Sequence, residues 1–271
     1  MTILSRWAAA VRDLLAASST SSPVLRVPPT PAWQALAAAL ATAEPRPAVE
    51  RLRADGLLSR ETPELEALFG VPQRVESHPE IDAGLHSLMS LEQAALLTSS
   101  PEIRFGALVH DLGKGATPRA EWPRHKGHEE RGVPLVDAMC RRLAAPTPFR
   151  EMGMLAARWH GKAHKTGELR PRTLLAMLEA WDATGDPAAI EPLVVVGCAD
   201  KRGRTGREAA AYPAGDLLRD AASLVAAMPP VPDDQLRLRR LEALAAWRRA
   251  RLASAPAKRD DEARPLAGSP P

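Results

Sequence analysis

Apolar residues recur at helical rather than strand spacing along most of this 271-residue chain. Over residues 83–97 they fall at positions 85, 88, 89, 91 and 95–97, the one-face repeat of an α-helix. Residues 101–112, 133–143 and 150–160 predict three more helices. Residues 172–182 predict another, with Leu174, Leu175, Leu178 and Trp181 turned inward. The run 190–200 is apolar through Val194-Val195-Val196-Gly197-Cys198-Ala199. Its β-branched content would suit a strand, but its length and helical neighbours predict a buried helix. Upstream, residues 33–42, 47–58 and 64–69 predict three shorter helices, set apart by Pro31, Pro45, Pro47, Gly56, Gly70 and Pro72. An all-α protein follows.

The ends of the chain read differently. Residues 1–17 suit a short amphipathic helix, and residues 18–31 have the Ser/Pro composition of a linker. Residues 233–252 predict a basic helix with arginines at 237, 239, 240, 248, 249 and 251 and an apolar stripe of Leu241, Leu244 and Trp247. Such a helix is expected to pack with a solvated charged face; a nucleic-acid-facing role is the weaker reading. Residues 253–271 carry Ala, Pro and charge and are expected to be disordered.

Composition narrows the classes. Hydrophobic residues make up 45% of the chain, enough for a proper core, while aromatics are 4% with one tyrosine. A net charge of +3 with a pI near 9.1 permits an acidic partner such as a nucleic acid without demanding one. Cys140 and Cys198 form no C-x-x-C pair, so neither a zinc knuckle nor a disulfide framework is indicated. No apolar run approaches the ~20 residues that span a membrane. Arg6, Arg12 and Asp13 interrupt the N-terminus too early for a secretory signal, which places the protein in the cytoplasm.

The chemistry concentrates in the middle. All seven histidines fall between His78 and His164, and five of the six lysines between Lys114 and Lys201. Structural histidines would be scattered. The stretch Val109-His110-Asp111-Leu112-Gly113-Lys114-Gly115 sets an imidazole beside a carboxylate at a predicted helix end. A divalent cation accepts such a mixed pair. Alone, the pair reads as a core histidine with a capping aspartate. With His86 and Asp200, each in or at the end of a predicted helix, it forms a candidate ligand set of His86, His110, Asp111 and Asp200. His128 and His160, with His125 and His164 beside them, are candidates for a second ion, phosphate contacts or a general acid. Lys114, Arg202 and Arg204 are candidate anion clamps. His78, before Pro79, reads as structural, and His125 and His164 as exposed or flanking the site.

The order His86, His110-Asp111, His128-Glu129, His160, Asp200 resembles the HD-superfamily metal-dependent phosphohydrolases. It resembles in particular the C-terminal HD domain of bacterial multifunctional CCA-adding enzymes, the tRNA nucleotidyltransferases. Leu68-Phe69-Gly70-Val71-Pro72, His78-Pro79-Glu80-Ile81-Asp82, Gly84-Leu85-His86, Trp122-Pro123-Arg124-His125 and Ala199-Asp200-Lys201-Arg202-Gly203-Arg204-Thr205-Gly206 carry the likeness, with Tyr212-Pro213 beyond. The resemblance implies an all-α HD helical bundle over residues 73–229 and a helical neck-like module over 33–72. It implies metal ligands at His86, His110, Asp111 and Asp200, with Ni²⁺ or Mg²⁺ foremost and Mn²⁺ or Co²⁺ as alternatives. Catalytic roles then fall to Asp111, Lys114, His128 and His160, and substrate contacts to Lys114, His125, Arg202 and Arg204. The implied reactions are hydrolysis of 2′,3′-cyclic phosphates, 2′-nucleotides and other phosphoesters.

The nucleotide-adding head of those enzymes needs an Asp-x-Asp pair. None occurs here, and the 32 residues before Trp33 are too few to hold that domain. The sequence therefore predicts a phosphohydrolase for nucleotide or RNA-end substrates. The alternative is a tRNA- or RNA-binding module, or the HD subunit of a split CCA-adding enzyme partnered by a separate nucleotidyltransferase head.

Overall fold

The computed structural model describes residues 28–229 and 233–254. The helix expected over residues 1–17, most of the following linker and nearly all of the C-terminal tail lie outside the described residues. Within them the protein is all-α, as its periodicity predicts, with one isolated bridge between Pro72 and Asp82.

Four helices open the described chain: α1 (Pro31–Ala41), α2 (Pro45–Ala54), α3 (Leu57–Glu61) and α4 (Pro63–Glu66). Proline starts three of them, where its fixed φ suits the first turn and its missing N–H costs nothing. Next come α5 (Ala83–Leu97), α6 (Pro101–Val109) and the single turn α7 (Leu112–Gly115). The side chains of Asp82 and Ser100 cap α5 and α6 by accepting from Leu85 N (2.9 Å) and Ile103 N (3.3 Å). The chain continues through α8 (His128–Arg142), α9 (Thr147–Ala163), α10 (Pro171–Ala180), α11 (Glu191–Arg202), α12 (Pro213–Ala226) and α13 (Asp233–Ser254).

Several boundaries differ from the sequence reading: the helix expected over 47–58 divides between α2 and α3, and that over 101–112 between α6 and α7. α8 starts at His128 rather than near 133 and carries Pro134 inside its second turn, at the loss of one backbone bond. The helix α12 is an addition. Its buried Leu218, Ala221, Ala222 and Val225 have helical spacing, but Pro213-Ala214-Gly215 at its start reads as a loop. The apolar run before Asp200 is a buried helix and not a strand.

Two cores hold these helices. In the first, Trp33, Leu36 and Leu40 of α1 join Phe105 and Leu108 of α6, Val136 and Met139 of α8, and Met154 of α9. Trp33 packs edge-on to both Phe105 and Phe149, at 5.5 and 4.9 Å between ring centroids. The second gathers Trp159, Leu174, Leu178, Ile190, Leu193, Leu218 and Leu244 from α9 to α13. α9 runs through both, with Met154 and Ala157 in the first and Trp159 and Ala163 in the second. His160 therefore sits where the cores meet.

Glycine sets the spacing there. A Cβ on Gly113 would lie 1.9 Å from the His128 carbonyl oxygen and 2.7 Å from Gly132 N. Only glycine lets α7 come that close to α8. Gly203, just after α11, meets Ser90 of α5 in the same way, at 2.6 Å from Oγ and 2.7 Å from N. Gly113→Ala should destabilise the fold by about 3 kcal/mol, the upper end for an added methyl group that backbone must move to accommodate. Urea unfolding measures this, and an unchanged midpoint would contradict the packing.

Candidate metal centre

Each side chain of the candidate centre comes from the end of a helix. His86 lies in the first turn of α5, and His110 closes α6. Asp111 follows with φ −105° and ψ 10°, outside helical geometry, so its carboxylate turns inward before α7 begins. His128 opens α8, His160 lies in the last turn of α9, and Asp200 lies in the last turn of α11.

The histidines share one hydrogen-bonding logic. Nδ1 of His110 faces the Ala107 carbonyl at 2.7 Å, that of His128 the His125 carbonyl at 2.9 Å, and that of His160 the Ala156 carbonyl at 3.0 Å. Nδ1 of His86 faces the Gly203 carbonyl at 3.3 Å and the Glu80 carboxylate at 3.0 Å. A carbonyl only accepts, so Nδ1 is the protonated nitrogen in all four rings. In the neutral rings every Nε2 then carries a lone pair, and all four point to one place. Asp111 Oδ2 lies 3.2 Å from Nε2 of His110 and 3.9 Å from that of His86, and Asp111 Oδ1 lies 3.3 Å from Nε2 of both His128 and His160. Asp200 Oδ1 closes the other side, 3.2 Å from His86 Nε2.

Lone pairs aimed at a carboxylate repel unless something positive lies between them. Nε2 of His86, Nε2 of His110 and Oδ1 of Asp111 are buried and have no hydrogen-bond partner. Buried polar atoms are normally satisfied. Ligand atoms of His86, His110 and Asp111, of His110, His160 and Asp200, and of Asp111, His128 and His160 fall within 4.8 Å of one another. Imidazole with carboxylate suits a divalent transition ion, and these residues fit one. The Nδ1 bonds would fix the orientation of the ligating rings.

Cations support the two carboxylates. Lys114 Nζ sits 2.5 Å from Asp111 Oδ2 and also bonds Gln73. Burial alone would raise the Asp111 carboxyl pKa, but His110 and Lys114 beside it hold it well below the usual carboxylate range. Asp200 behaves likewise, with His164 Nε2 at 2.5 Å from Oδ2 and Arg204 at 2.8 Å from Oδ1 outweighing burial. Burial also opposes a charge on His86, yet Asp200 and Glu80 push its pKa up.

The fold thus brings together His86, His110, Asp111, Lys114, His128, His160 and Asp200. Arg204 joins them through Asp200. The other two candidates point elsewhere. His125 Nε2 donates to the Pro72 carbonyl at 2.8 Å, and Arg202 Nε to the Ala210 carbonyl at 3.0 Å, each tying down a loop. Conversely, His164 touches Asp200 directly, and Glu80 and Gln73 brace His86 and Lys114. His78, read from sequence as structural, brings a ligand atom within 4.8 Å of those of His86 and Asp200. Burial and Lys114 push its pKa down to about 2, so its imidazole stays neutral. The only sequence signal for Glu80 was its place in the His78-Pro79-Glu80 stretch; for Gln73 there was none.

Fold and site together define a helical protein with a candidate His/Asp metal centre, and the HD domain family model matches residues 84–196. The chain carries an HD domain. Three curated relatives to which it is similar are multifunctional CCA proteins. That of Thioalkalivibrio sulfidiphilus (strain HL-EbGR7) is 46% identical over 213 residues, covering 79% of this chain and 51% of the relative. That of Nitrosococcus oceani is 45% identical over 219 residues (81% and 54%), and that of Hahella chejuensis (strain KCTC 2396) 48% over 187 (69% and 44%). The chain spans about half the length of these relatives.

A ligand that binds only the folded chain stabilises it by about 2.7 kcal/mol at a hundred times its Kd. Adding Ni²⁺ or Co²⁺ to chelator-treated protein should therefore raise Tm, and Asp111→Asn should abolish the shift while retaining helicity by circular dichroism. An equal shift in both proteins would place the ion elsewhere.

Proposed function

We propose that this chain is a metal-dependent phosphohydrolase of nucleotide or RNA-end phosphoesters, such as 2′,3′-cyclic phosphates and 2′-nucleotides. The observation that carries the reading is the set of four Nε2 lone pairs converging on Asp111 opposite Asp200, with Lys114 alongside. His86, His110, Asp111 and Asp200 would hold the ion. Two imidazoles among the four ligands favour Ni²⁺ or Co²⁺ over Mg²⁺ or Mn²⁺, which prefer oxygen donors. When bound, the ion supplies Lewis acidity to a phosphoryl group and makes a water easier to ionise.

The protein groups do the rest. Lys114 is a buried ammonium already against the cluster, placed to take charge from a phosphoryl oxygen as it develops. His128, with its side chain 20% exposed, is the most open of the four rings. That exposure suits it to give a leaving oxygen its proton. Its Nε2 lies 3.3 Å from that of His160, so the pair can share one proton between them. Lys162, 2.5 Å from Glu129, ties the start of α8 to the end of α9 and holds that pair in register. Arg204 and His164 position Asp200. A cytoplasmic setting fits these substrates, and no helix among the described residues is long and apolar enough to cross a membrane.

A second reading is an RNA-binding module, or the HD subunit of a CCA-adding tRNA nucleotidyltransferase whose head is a separate chain. What favours it is similarity over most of this chain to multifunctional CCA proteins about one and a half times its length.

Chelator-stripped protein should not hydrolyse 2′,3′-cyclic AMP, 2′-AMP or an aryl phosphate, and Ni²⁺, Co²⁺, Mn²⁺ or Mg²⁺ should restore turnover. Asp111→Asn should lower the restored kcat/KM about a thousandfold, as expected where several kcal/mol of transition-state stabilisation are lost. Folded protein inactive with every metal would move the balance to the second reading. Lys114→Ala should cost about 10²-fold in kcat, and an unchanged kcat would remove Lys114 from the mechanism.

A further inference from the structure

Beside the metal centre lies a cleft of about 380 Å³, large enough for a nucleotide. It shares a wall with the centre: His164 and Arg204 both line it and both touch Asp200. Its lining carries Lys165, two residues past the helix that delivers His160, and Lys201, next to Asp200 in the last turn of α11. Among the described residues no carboxylate lies within ion-pair distance of either ammonium. Glu168 is the one acid on the lining, against three cations. The ring of Tyr212 forms another wall, edge-on to His164 at 5.5 Å and 82°.

Two unpaired ammonium groups beside an aromatic face, next to a phosphoester site, match a phosphate and its attached nucleoside. Lysine binds phosphate as a point charge, without needing the planar geometry of arginine. We propose that this cleft is a second anion subsite, holding a phosphate one nucleotide away from the phosphoester at the metal centre. The inference rests on the phosphohydrolase reading and narrows it, because a substrate with two phosphates, such as an RNA end, would engage both sites and a mononucleotide only one.

The test is binding, read by calorimetry on the full chain loaded with Ni²⁺. The probes are adenosine 3′,5′-bisphosphonate and adenosine 5′-monophosphonate, whose phosphorus–carbon bonds are not cut. Wild type should bind the bisphosphonate about tenfold more tightly, the worth of one charge-assisted contact. The advantage should vanish in the Lys165→Ala/Lys201→Ala variant and shrink as salt is raised. Equal affinity for the two probes, or an advantage that survives in the variant, would overturn the subsite. Binding needs no turnover, so the two readings fail separately. A chain that prefers the bisphosphonate but hydrolyses nothing keeps the cleft and loses the enzyme; one that hydrolyses without the preference loses the cleft alone.

Discussion

A carboxylate with 1% of its surface exposed sits where helices α5 to α9 and α11 converge, and it cannot be left alone. Stripping Asp111 of water costs several kcal/mol unless charge and hydrogen bonds replace the solvent. One replacement is Lys114, three residues on; the rings of His86 from α5, His128 from α8 and His160 from α9 turn Nε2 toward the same carboxylate, where an ion would supply the rest. Around it, a short α7 and glycines at 113 and 203 let the helix ends approach closely enough to share one pocket. The two hydrophobic cores then act as scaffolding on either side, with α9 passing through both.

The electrostatic arrangement has one internal tension. Lys114 neutralises one face of Asp111, but four imidazoles whose Nδ1 protons are committed to backbone or Glu80 turn bare nitrogens toward the remainder. A protein whose aim was stability alone would aim N–H groups there instead. Fixing the opposite tautomer by backbone bonds spends structure on keeping lone pairs inward, which is what ligation requires. Asp200 repeats the pattern, with His164 and Arg204 as its supports.

Much of this was legible in the sequence, and the reasons differ by element. While α11 was read from its length and helical neighbours, periodicity located α5, α6, α9 and α10 because each has a clear buried face. It missed α12, whose Pro-Ala-Gly start resembles a loop, and the start of α8, where Pro134 looks like a boundary. His86, His110, Asp111, His128, His160 and Asp200 could be grouped because imidazoles cluster in the middle of the chain. Residue type could not tell His125 from His164. Only the fold shows that the first ties down a loop and the second reaches Asp200. The same holds for Arg202 and Arg204, two residues apart, one bonding the Ala210 carbonyl and the other the Asp200 carboxylate. Gln73 acts through Lys114, 41 residues along the chain, and Glu80 through a ring six residues on in the next helix, relations that no local pattern records.

The central claim is that the inward Nε2 atoms and the two carboxylates share an ion. X-ray absorption at the metal edge of Ni²⁺- or Co²⁺-loaded protein tests it most directly, since imidazole rings leave their own multiple-scattering signature. The account predicts two or more imidazoles together with carboxylate oxygens, and loss of that signature in Asp111→Asn. A spectrum with oxygen ligands alone, or one unchanged by that substitution, would contradict it.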